Sequence, residues 1–373
     1  MSFKLNSFVA ASLFTSLCAT SLPALAADPA AALAALQNNV QSLGPNGEKP
    51  ESASTITLSD TELAKIKAMN ATAAIVFHYT GNDWAKAQTA GLKAQFAKMG
   101  IKVIGVTDAG FKPEKQVADI ETMLAQKPSI IVSIPADPAA TASAYKAAAA
   151  QGVKLVFMDN VPKGMQAGKD YVSVVSADNY GNGVAAAHLM AQALKSEGDI
   201  GIVFHAADFF VTRQRYDAFK KTIKETYPKI NIVAEQGIGG PDFTGDADKA
   251  ASAMLTSHRK IKGLWAVWDG PAEGVIAAAR TAGRDDLVIT TIDLGENVAI
   301  DMARGGFVKG LGAQRPYDQG VTEALLAGYG LLGKAAPPYV ALPALPVTKK
   351  NLIDAWQTVY RVPATNKIKS SMR

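Results

Sequence analysis

Polar and aromatic side chains recur in this 373-residue chain where short β-branched runs end. These candidate site residues are His78, Asn82, Trp84, Asp159, Asn160, Asp178, Phe209, Arg213, Phe243, Trp268, Asp293 and Gln314. Carboxylates and amides hydrogen-bond to vicinal hydroxyls, and an aromatic face covers the apolar C–H side of a sugar ring. A phosphate or carboxylate ligand would need more cations among them. The mixture therefore suits a neutral polyhydroxy ligand.

The elements that position these residues alternate along the chain. Short β-branched runs predict ten strands, over residues 72–78, 101–107, 130–134, 154–158, 172–176, 200–204, 230–234, 263–267, 288–292 and 307–311. Longer Ala-rich stretches with helical periodicity separate them, for example 85–99, 115–126, 141–150, 183–195, 213–226 and 273–281. Strands joined by crossover helices form parallel sheets, so the fold class is α/β.

Ten strands approach the upper limit of one open twisted sheet, so we expect two doubly wound lobes with a cleft between them. In such sheets ligands bind beyond the carboxyl ends of the strands, where the candidate residues lie. Phe209 and Phe210 are adjacent and point in different directions, so we expect at most one of them to line the cleft.

The first residues have the form of a secretory signal peptide. A cationic start at Lys4 and an apolar run precede Ala24, Leu25 and Ala26. Signal peptidase needs small side chains at its cleavage site, so we expect residues 1–26 to be removed and the protein to work in the periplasm. The single cysteine, Cys18, lies in the part to be removed, which leaves no disulfide and no cysteine metal site.

Residues 27–70 precede the alternation and are interpreted as a flexible arm with one docked helix, which a capping box at Ser59 and Glu62 would open. Residues 363–373 are interpreted as a polar tail. The formal net charge of +5 is mild and has no basic cluster, which argues against nucleic-acid binding.

Two patterns imitate cofactor or metal sites. Gly181-Asn182-Gly183 resembles a dinucleotide fingerprint, but it begins five residues after the predicted strand instead of directly after it. Asp242, Asp246 and Asp248 have an acidic spacing, but they lack the oxygen ligands and closing glutamate of a calcium loop, so a helix N-terminus is expected there. We expect neither a cofactor nor a metal.

Over residues 71–346 the chain resembles the ribose and galactose type of periplasmic sugar-binding protein, the receptor of an ABC importer. Asn82 and Trp84 match that family's residues after the first strand, and Asp159 matches its ligand aspartate. Further matches are Arg213, Phe243, Asp293 and Gln314. The resemblance implies two lobes, over residues 71–176 plus 315–342 and 177–314 plus 343–362. It also implies a three-segment hinge near Ser176, Gln314 and Leu342.

The chain departs from ribose receptors at three positions. Asn160 replaces an arginine, Trp268 replaces an asparagine, and His78 replaces a serine. Loss of a guanidinium removes hydrogen bonds worth roughly 1.5–3 kcal/mol, and an indole reshapes the pocket. We therefore expect a polyol, a deoxysugar or a differently sized monosaccharide in place of ribose itself.

The resulting hypothesis is a periplasmic solute-binding protein that delivers a monosaccharide or related polyol to a membrane permease. A sensory subunit that reports to a chemoreceptor or kinase would need the same pocket. A carbohydrate-active enzyme remains a further alternative, because Asp159 and Asp293 could converge as paired carboxylates. The sequence has no Gly-x-Ser-x-Gly or His-Glu-x-x-His motif, and its histidines at 78, 188, 205 and 258 are scattered. We therefore expect a binding protein and not an enzyme.

Overall fold

The computed structural model describes residues 28–372. The predicted signal peptide over residues 1–26, with cleavage before Ala27, lies outside the described residues. Within residues 28–372, no helix is long and apolar enough to cross a membrane.

The described chain contains thirteen strands and thirteen α-helices. The strands are β1 (Glu51–Ser52), β2 (Thr72–Phe77), β3 (Lys102–Asp108), β4 (Ile130–Ser133), β5 (Lys154–Met158), β6 (Ser173–Ala177), β7 (Gly198–His205), β8 (Ile230–Ile238), β9 (Ile261–Ala266), β10 (Val288–Ile292), β11 (Val308–Ala313), β12 (Tyr339–Leu342) and β13 (Leu345–Val347). The helices are α1 (Pro29–Leu36), α2 (Asp60–Ala68), α3 (Asp83–Lys98), α4 (Pro113–Leu124), α5 (Ala142–Ala150), α6 (Asn179–Ala193), α7 (Phe210–Thr226), α8 (Phe243–Ser257), α9 (Asp269–Thr281), α10 (Glu296–Ala303), α11 (Pro316–Leu332), α12 (Leu352–Tyr360) and α13 (Asn366–Ser371). Two short 3-10 turns cover Ala53–Thr55 and Lys349–Asn351.

The strands form two sheets, which confirms the predicted α/β fold with two lobes. The first sheet has seven parallel strands in the order β1-β12-β6-β5-β4-β2-β3. The second has six in the order β13-β11-β10-β9-β7-β8, and only its edge strand β13 runs antiparallel. Helices cover both faces, so central strands such as β4 and β10 are buried at every position.

The chain passes between the two sheets three times. It leaves the first sheet after β6, returns after β11 into α11, which packs on α3, and leaves again between β12 and β13. Two of the crossing segments are joined directly, since the Asp178 amide donates a 2.8 Å hydrogen bond to the Leu342 carbonyl. These crossings coincide with the expected hinge near Ser176, Gln314 and Leu342.

Residues 28–70 are not the flexible arm that the sequence suggested. Helix α1 packs on α6, and Leu36, only 1% exposed, joins a cluster with Val184 and Ala218. Strand β1 extends the first sheet by pairing with β12. The predicted capping box of Ser59 and Glu62 does open α2. The segment thus contacts both lobes and contributes to the folded core.

The predicted polar tail is also docked. Residues 366–371 form α13, which packs on α10, and Ile368 is fully buried in the core of the second lobe. One apolar side chain in a polar segment is enough to anchor a single helical turn against a neighbouring helix.

Candidate functional site

The carboxyl ends of the two sheets face one another across a cleft of about 600 Å³. Nine predicted residues line it, namely His78, Asn82, Trp84, Asp159, Phe209, Phe243, Trp268, Asp293 and Gln314. The first four belong to the first lobe, the next four belong to the second, and Gln314 lies on a crossing segment, so both lobes contribute. Phe209 lines the cleft and Phe210 does not, as expected for adjacent side chains.

Two aspartates stand at the ends of central strands. Asp159 follows β5 with φ +55° and Asp293 follows β10 with φ +71°, a backbone region that few non-glycine residues occupy. Asp159 Oδ1 accepts a 2.6 Å hydrogen bond from the Ser176 hydroxyl. Such left-handed residues cluster at functional sites, because the surrounding structure must hold them in place. The two carboxylates are therefore fixed in orientation before a ligand arrives.

Asp293 is held by two polar side chains of the cleft, Arg215 and Gln314. Its Oδ2 accepts a 3.1 Å hydrogen bond from Arg215 Nη1, and its Oδ1 accepts one of 2.8 Å from Gln314 Nε2. The Gln314 carbonyl oxygen in turn accepts from Trp84 Nε1 at 3.2 Å. This chain of bonds runs from the second lobe through a crossing segment to α3 of the first lobe.

The arginine of the cleft is Arg215, and the prediction of Arg213 is wrong. Arg213 is 58% exposed in its side chain and pairs with Asp208 at the surface. Arg215 is 4% exposed and also donates to the Asn179 side-chain oxygen at 2.8 Å. The two positions lie about 200° apart around a helix, so only one can face the cleft. Buried Val211, Arg215 and Ala218 mark the inward face of α7.

Asn160 and Asp178 also lie outside the cleft. The Asn160 side chain is buried and has no hydrogen-bond partner among residues 28–372. Asp178 caps α6 through the Gly181 amide and accepts 2.9 Å hydrogen bonds from the amides of Gln41 and Ser42. Its carboxylate is therefore occupied in fastening residues 28–70 to a crossing segment.

Aromatic rings from both lobes form the walls. His78 stacks on Phe209 with ring centroids 5.9 Å apart, and Phe111 meets Phe243 at 5.5 Å. In each pair the first residue belongs to the first lobe and the second to the other. Trp268 packs edge-on against Phe243 at 5.0 Å. Aromatic faces of this kind cover the C–H side of a ring-shaped ligand while excluding water.

Burial changes the protonation of the cleft. It raises the pKa of Asp159 to about 6, although Ser176 and Arg215 favour the ionised form. It lowers the pKa values of His78 and His205 to about 4. Both imidazoles are therefore neutral at pH 7, and His205 Nδ1 lies 3.1 Å from the Thr212 hydroxyl. Arg215 is the one buried cation among the residues that line the cleft.

The cleft residues that the sequence reasoning missed include Phe111, His205, Arg215 and Asp269. Asp269 directly follows Trp268 and is 8% exposed at the first turn of α9. His205 ends strand β7 in the same way that His78 follows β2. Their position at strand ends was a usable signal. Phe111 had none, since it lies in a loop after β3 at φ +60°.

The two patterns that imitate a calcium loop and a dinucleotide fingerprint have structural roles. Asp242 caps α8 by accepting a 3.0 Å hydrogen bond from the Gly245 amide, as predicted for a helix N-terminus. Gly183 lies inside α6, where a Cβ would come within 2.4 Å of the Arg215 carbonyl oxygen. Glycine is therefore required so that α7 can approach α6 and place Arg215.

Comparison with known proteins gives related receptors. Residues 73–334 match the periplasmic binding protein domain model. The ribose import binding protein of Bacillus subtilis is 29% identical over 53% of this chain and 62% of its own length. That of Salmonella typhimurium is 26% identical over 64% of this chain and 78% of its own.

Solved structures share the fold. A solute-binding protein from Agrobacterium vitis, bound with α-D-tagatopyranose, superposes with a TM-score of 0.70 over 79% of this chain and 100% of its own, at 21% identity. One from Agrobacterium radiobacter, in complex with D-arabinose, gives 0.69 at 24% identity, over 78% of this chain and 99% of its own. The family consists of binding proteins and not of enzymes. From its match over residues 73–334 and from its two-sheet architecture, the chain belongs to the periplasmic binding protein domain family.

Proposed function

We propose that this protein is the exported solute-binding subunit of an ABC importer and binds a monosaccharide or related polyol in the cleft. The observation that carries the proposal is the bonded set of Asp293, Arg215 and Gln314, which faces Asp159 from the other lobe. Fixed acceptors and donors between aromatic walls suit a ring that carries several hydroxyls. Relatives named as ribose and apiose import binding proteins support this class of cargo.

Closure of the two lobes over the ligand is the proposed mechanism. Contacts between the lobes already exist at the mouth, where the Glu296 amide of α10 donates a 3.0 Å hydrogen bond to Asp83 of α3. In periplasmic binding proteins hinge closure brings such surfaces together around a ligand. The closed protein would present both lobes to a membrane permease, so that transport starts only after loading. Export through the signal peptide over residues 1–26 places the protein where that permease opens.

The proposal is tested by titrating the purified protein with pentoses, hexoses and polyols in a calorimeter. We expect one of them to bind, and we expect Asp159→Ala to weaken that ligand by roughly ten- to a hundredfold, which corresponds to 1–3 kcal/mol for one lost hydrogen-bond partner. Glu197→Gln, an exposed change outside the cleft, should leave affinity unaltered. Equal binding by Asp159→Ala and the parent would show that the site is elsewhere.

The two alternatives predict different results with the same sample. A carbohydrate-active enzyme would convert the bound sugar, whereas a receptor releases it unchanged, which mass spectrometry of the recovered ligand decides. A sensory subunit would bind the sugar but would not stimulate uptake when added to vesicles that contain the permease. We expect unchanged ligand and stimulated uptake.

A further inference from the structure

We infer that the ligand of this cleft carries a protonated amine beside its hydroxyls, as an amino sugar or an amino polyol does. The inference rests on the proposed function, since it assigns the cargo of the same cleft. It comes from the charge balance of the cleft and from the arrangement of rings at one end of it.

The cleft holds far more negative than positive groups. Seven carboxylates line it, from Asp83, Asp159, Asp242, Asp269, Glu273, Asp293 and Glu296. Among residues 28–372, the only lysine or arginine side chains that line it are Lys86 and Arg215. Arg215 is committed to Asp293 and Asn179, and Lys86 is 70% exposed and pairs with Asp83. Glu296 pairs with Lys367 at 3.5 Å, which leaves four of the seven acids, Asp159, Asp242, Asp269 and Glu273, without a salt-bridge partner among residues 28–372.

Four of these acids form what we call the acidic end, which consists of Asp83, Asp269, Glu273 and Asp293. Burial raises the pKa of Asp269 well above its ordinary value, and Asp293, Glu273 and Asp83 raise it further by repulsion. Burial and Asp83 likewise raise the pKa of Glu273. The acids thus oppose one another's ionisation, and an ammonium group placed among them would relieve that repulsion.

One carboxylate oxygen of Asp269 has no hydrogen-bond donor among residues 28–372. The side chain belongs to a residue that is only 8% exposed, and its Oδ1 accepts a 2.9 Å hydrogen bond from the Gly270 amide. No donor from residues 28–372 bonds to its Oδ2. Gly295 keeps the space beside that oxygen open, because a Cβ at position 295 would lie 2.3 Å from it. Asp269 lines the cleft, so this oxygen can accept a hydrogen bond from a donor on the ligand.

The rings beside the acidic end suit a cation. Trp268 immediately precedes Asp269, and Phe243 lies 5.0 Å from the Trp268 ring. His205 meets the Trp268 ring at 5.5 Å and is neutral, so it adds no positive charge. Indole and phenyl faces attract an ammonium group, most strongly where water is excluded. A neutral sugar could stack on these rings, but it would not stabilise the ionised form of the acids.

The experiment compares matched pairs by calorimetry at pH 7, using glucosamine with glucose, galactosamine with galactose, and scyllo-inosamine with scyllo-inositol. We expect at least one amine to bind tenfold or more tightly than its neutral partner. Asp269→Asn should reduce that ratio to near one, and Glu273→Gln should reduce it as well, in case the first variant folds poorly. Glu197→Gln, outside the cleft, should keep the ratio.

The other possible results distinguish failure of the amine inference from failure of the proposed sugar-binding function. Binding of neutral members at least as tightly as the amines would overturn the amine inference and retain the sugar-binding function. An amine preference that survives in both Asp269→Asn and Glu273→Gln would show that the acidic end does not hold the amine, which also overturns the inference. Absence of binding by every amine, sugar and polyol would refute the proposed function itself.

Discussion

Replacing Arg215 with methionine tests the electrostatics of the cleft most severely. The guanidinium is 4% exposed and donates to Asp293, to Asn179 and, at 3.3 Å, to the Val267 carbonyl. Methionine has a shorter side chain and no charge, so it leaves the Asp293 carboxylate buried without its cation. Asp159 also loses the positive charge that favours its ionised form.

Removal of one partner from a buried ion pair costs about 3–5 kcal/mol, because the remaining charge stays desolvated. The orphaned acceptors of Asn179 and Val267 belong to the same network, so their costs do not simply add to this figure. We therefore expect Arg215→Met to lower the free energy of unfolding by about 3–5 kcal/mol. Ligand binding should be lost at the same time, since Asp293 is no longer held.

Arg213→Met is the matched control on the same helix. Its partner Asp208 is 86% exposed in its side chain, and such surface pairs contribute about 0–1 kcal/mol. Chemical denaturation monitored by circular dichroism measures the free energy of unfolding of both variants. Arg215→Lys, which keeps the charge, should fall between the parent and Arg215→Met. Equal stability of Arg213→Met and Arg215→Met would show that the buried pair of Arg215 and Asp293 does not stabilise the fold.

Three further results follow from the structure. The imidazole resonances of His78 and His205 should stay constant down to about pH 5, since their pKa values lie near 4. Because unfolding takes up those protons, the stability that these two histidines contribute is lost as the pH falls from 6.5 towards 4. Titration of His78 or His205 near pH 6.5 would contradict this. Asp178→Ala should lower the free energy of unfolding by roughly 1–3 kcal/mol and speed proteolysis of residues 37–50. Loss of sugar binding without release of that segment would contradict the structural role of Asp178. Gly183→Ala should lower the free energy of unfolding, measured in urea, by about 1–3 kcal/mol. The control Gly239→Ala, whose new Cβ meets no atom within 4 Å, should change it by no more than about 0.5 kcal/mol.

The fold could be predicted because one sequence pattern, a short apolar run followed by a helical stretch, recurs along the chain. All ten predicted strands are present with small shifts of their ends, since buried parallel strands require unbroken apolar runs. The missed strands β1, β12 and β13 have only two to four residues. Segments that short have no periodicity of their own, and pairing with a neighbouring strand alone defines them.

The arm and tail were misjudged because local composition does not show docking. An Ala-rich stretch with turns typifies an exposed segment, yet Leu36 is buried by contact with residues that follow it by about 150 positions. Amides of Gln41 and Ser42 reach Asp178 over a similar separation. Such contacts depend on the assembled hinge and have no local signature.

The site was predictable at strand ends and less so on helices. Asp159 and Asp293 could be placed because parallel sheets bring the ends of their strands together. Helical phase decides between Arg213 and Arg215, and the apolar stripe of Val211, Ala218 and Phe219 could have decided it. The sequence could not predict that Asp269 Oδ2 has no donor among residues 28–372, because that depends on neighbours in three dimensions.

Thermal unfolding of the purified protein with a panel of pentoses, hexoses, polyols and their amino derivatives tests the central claim most directly. A ligand at a hundred times its dissociation constant stabilises the folded state by about 2.7 kcal/mol, which raises the melting temperature by several degrees. We predict such a rise with one of these compounds, its disappearance in Asp159→Ala, and recovery of the compound unchanged. No rise with any polyhydroxy compound, or a rise that Asp159→Ala retains, would contradict a sugar-binding cleft between the two sheets.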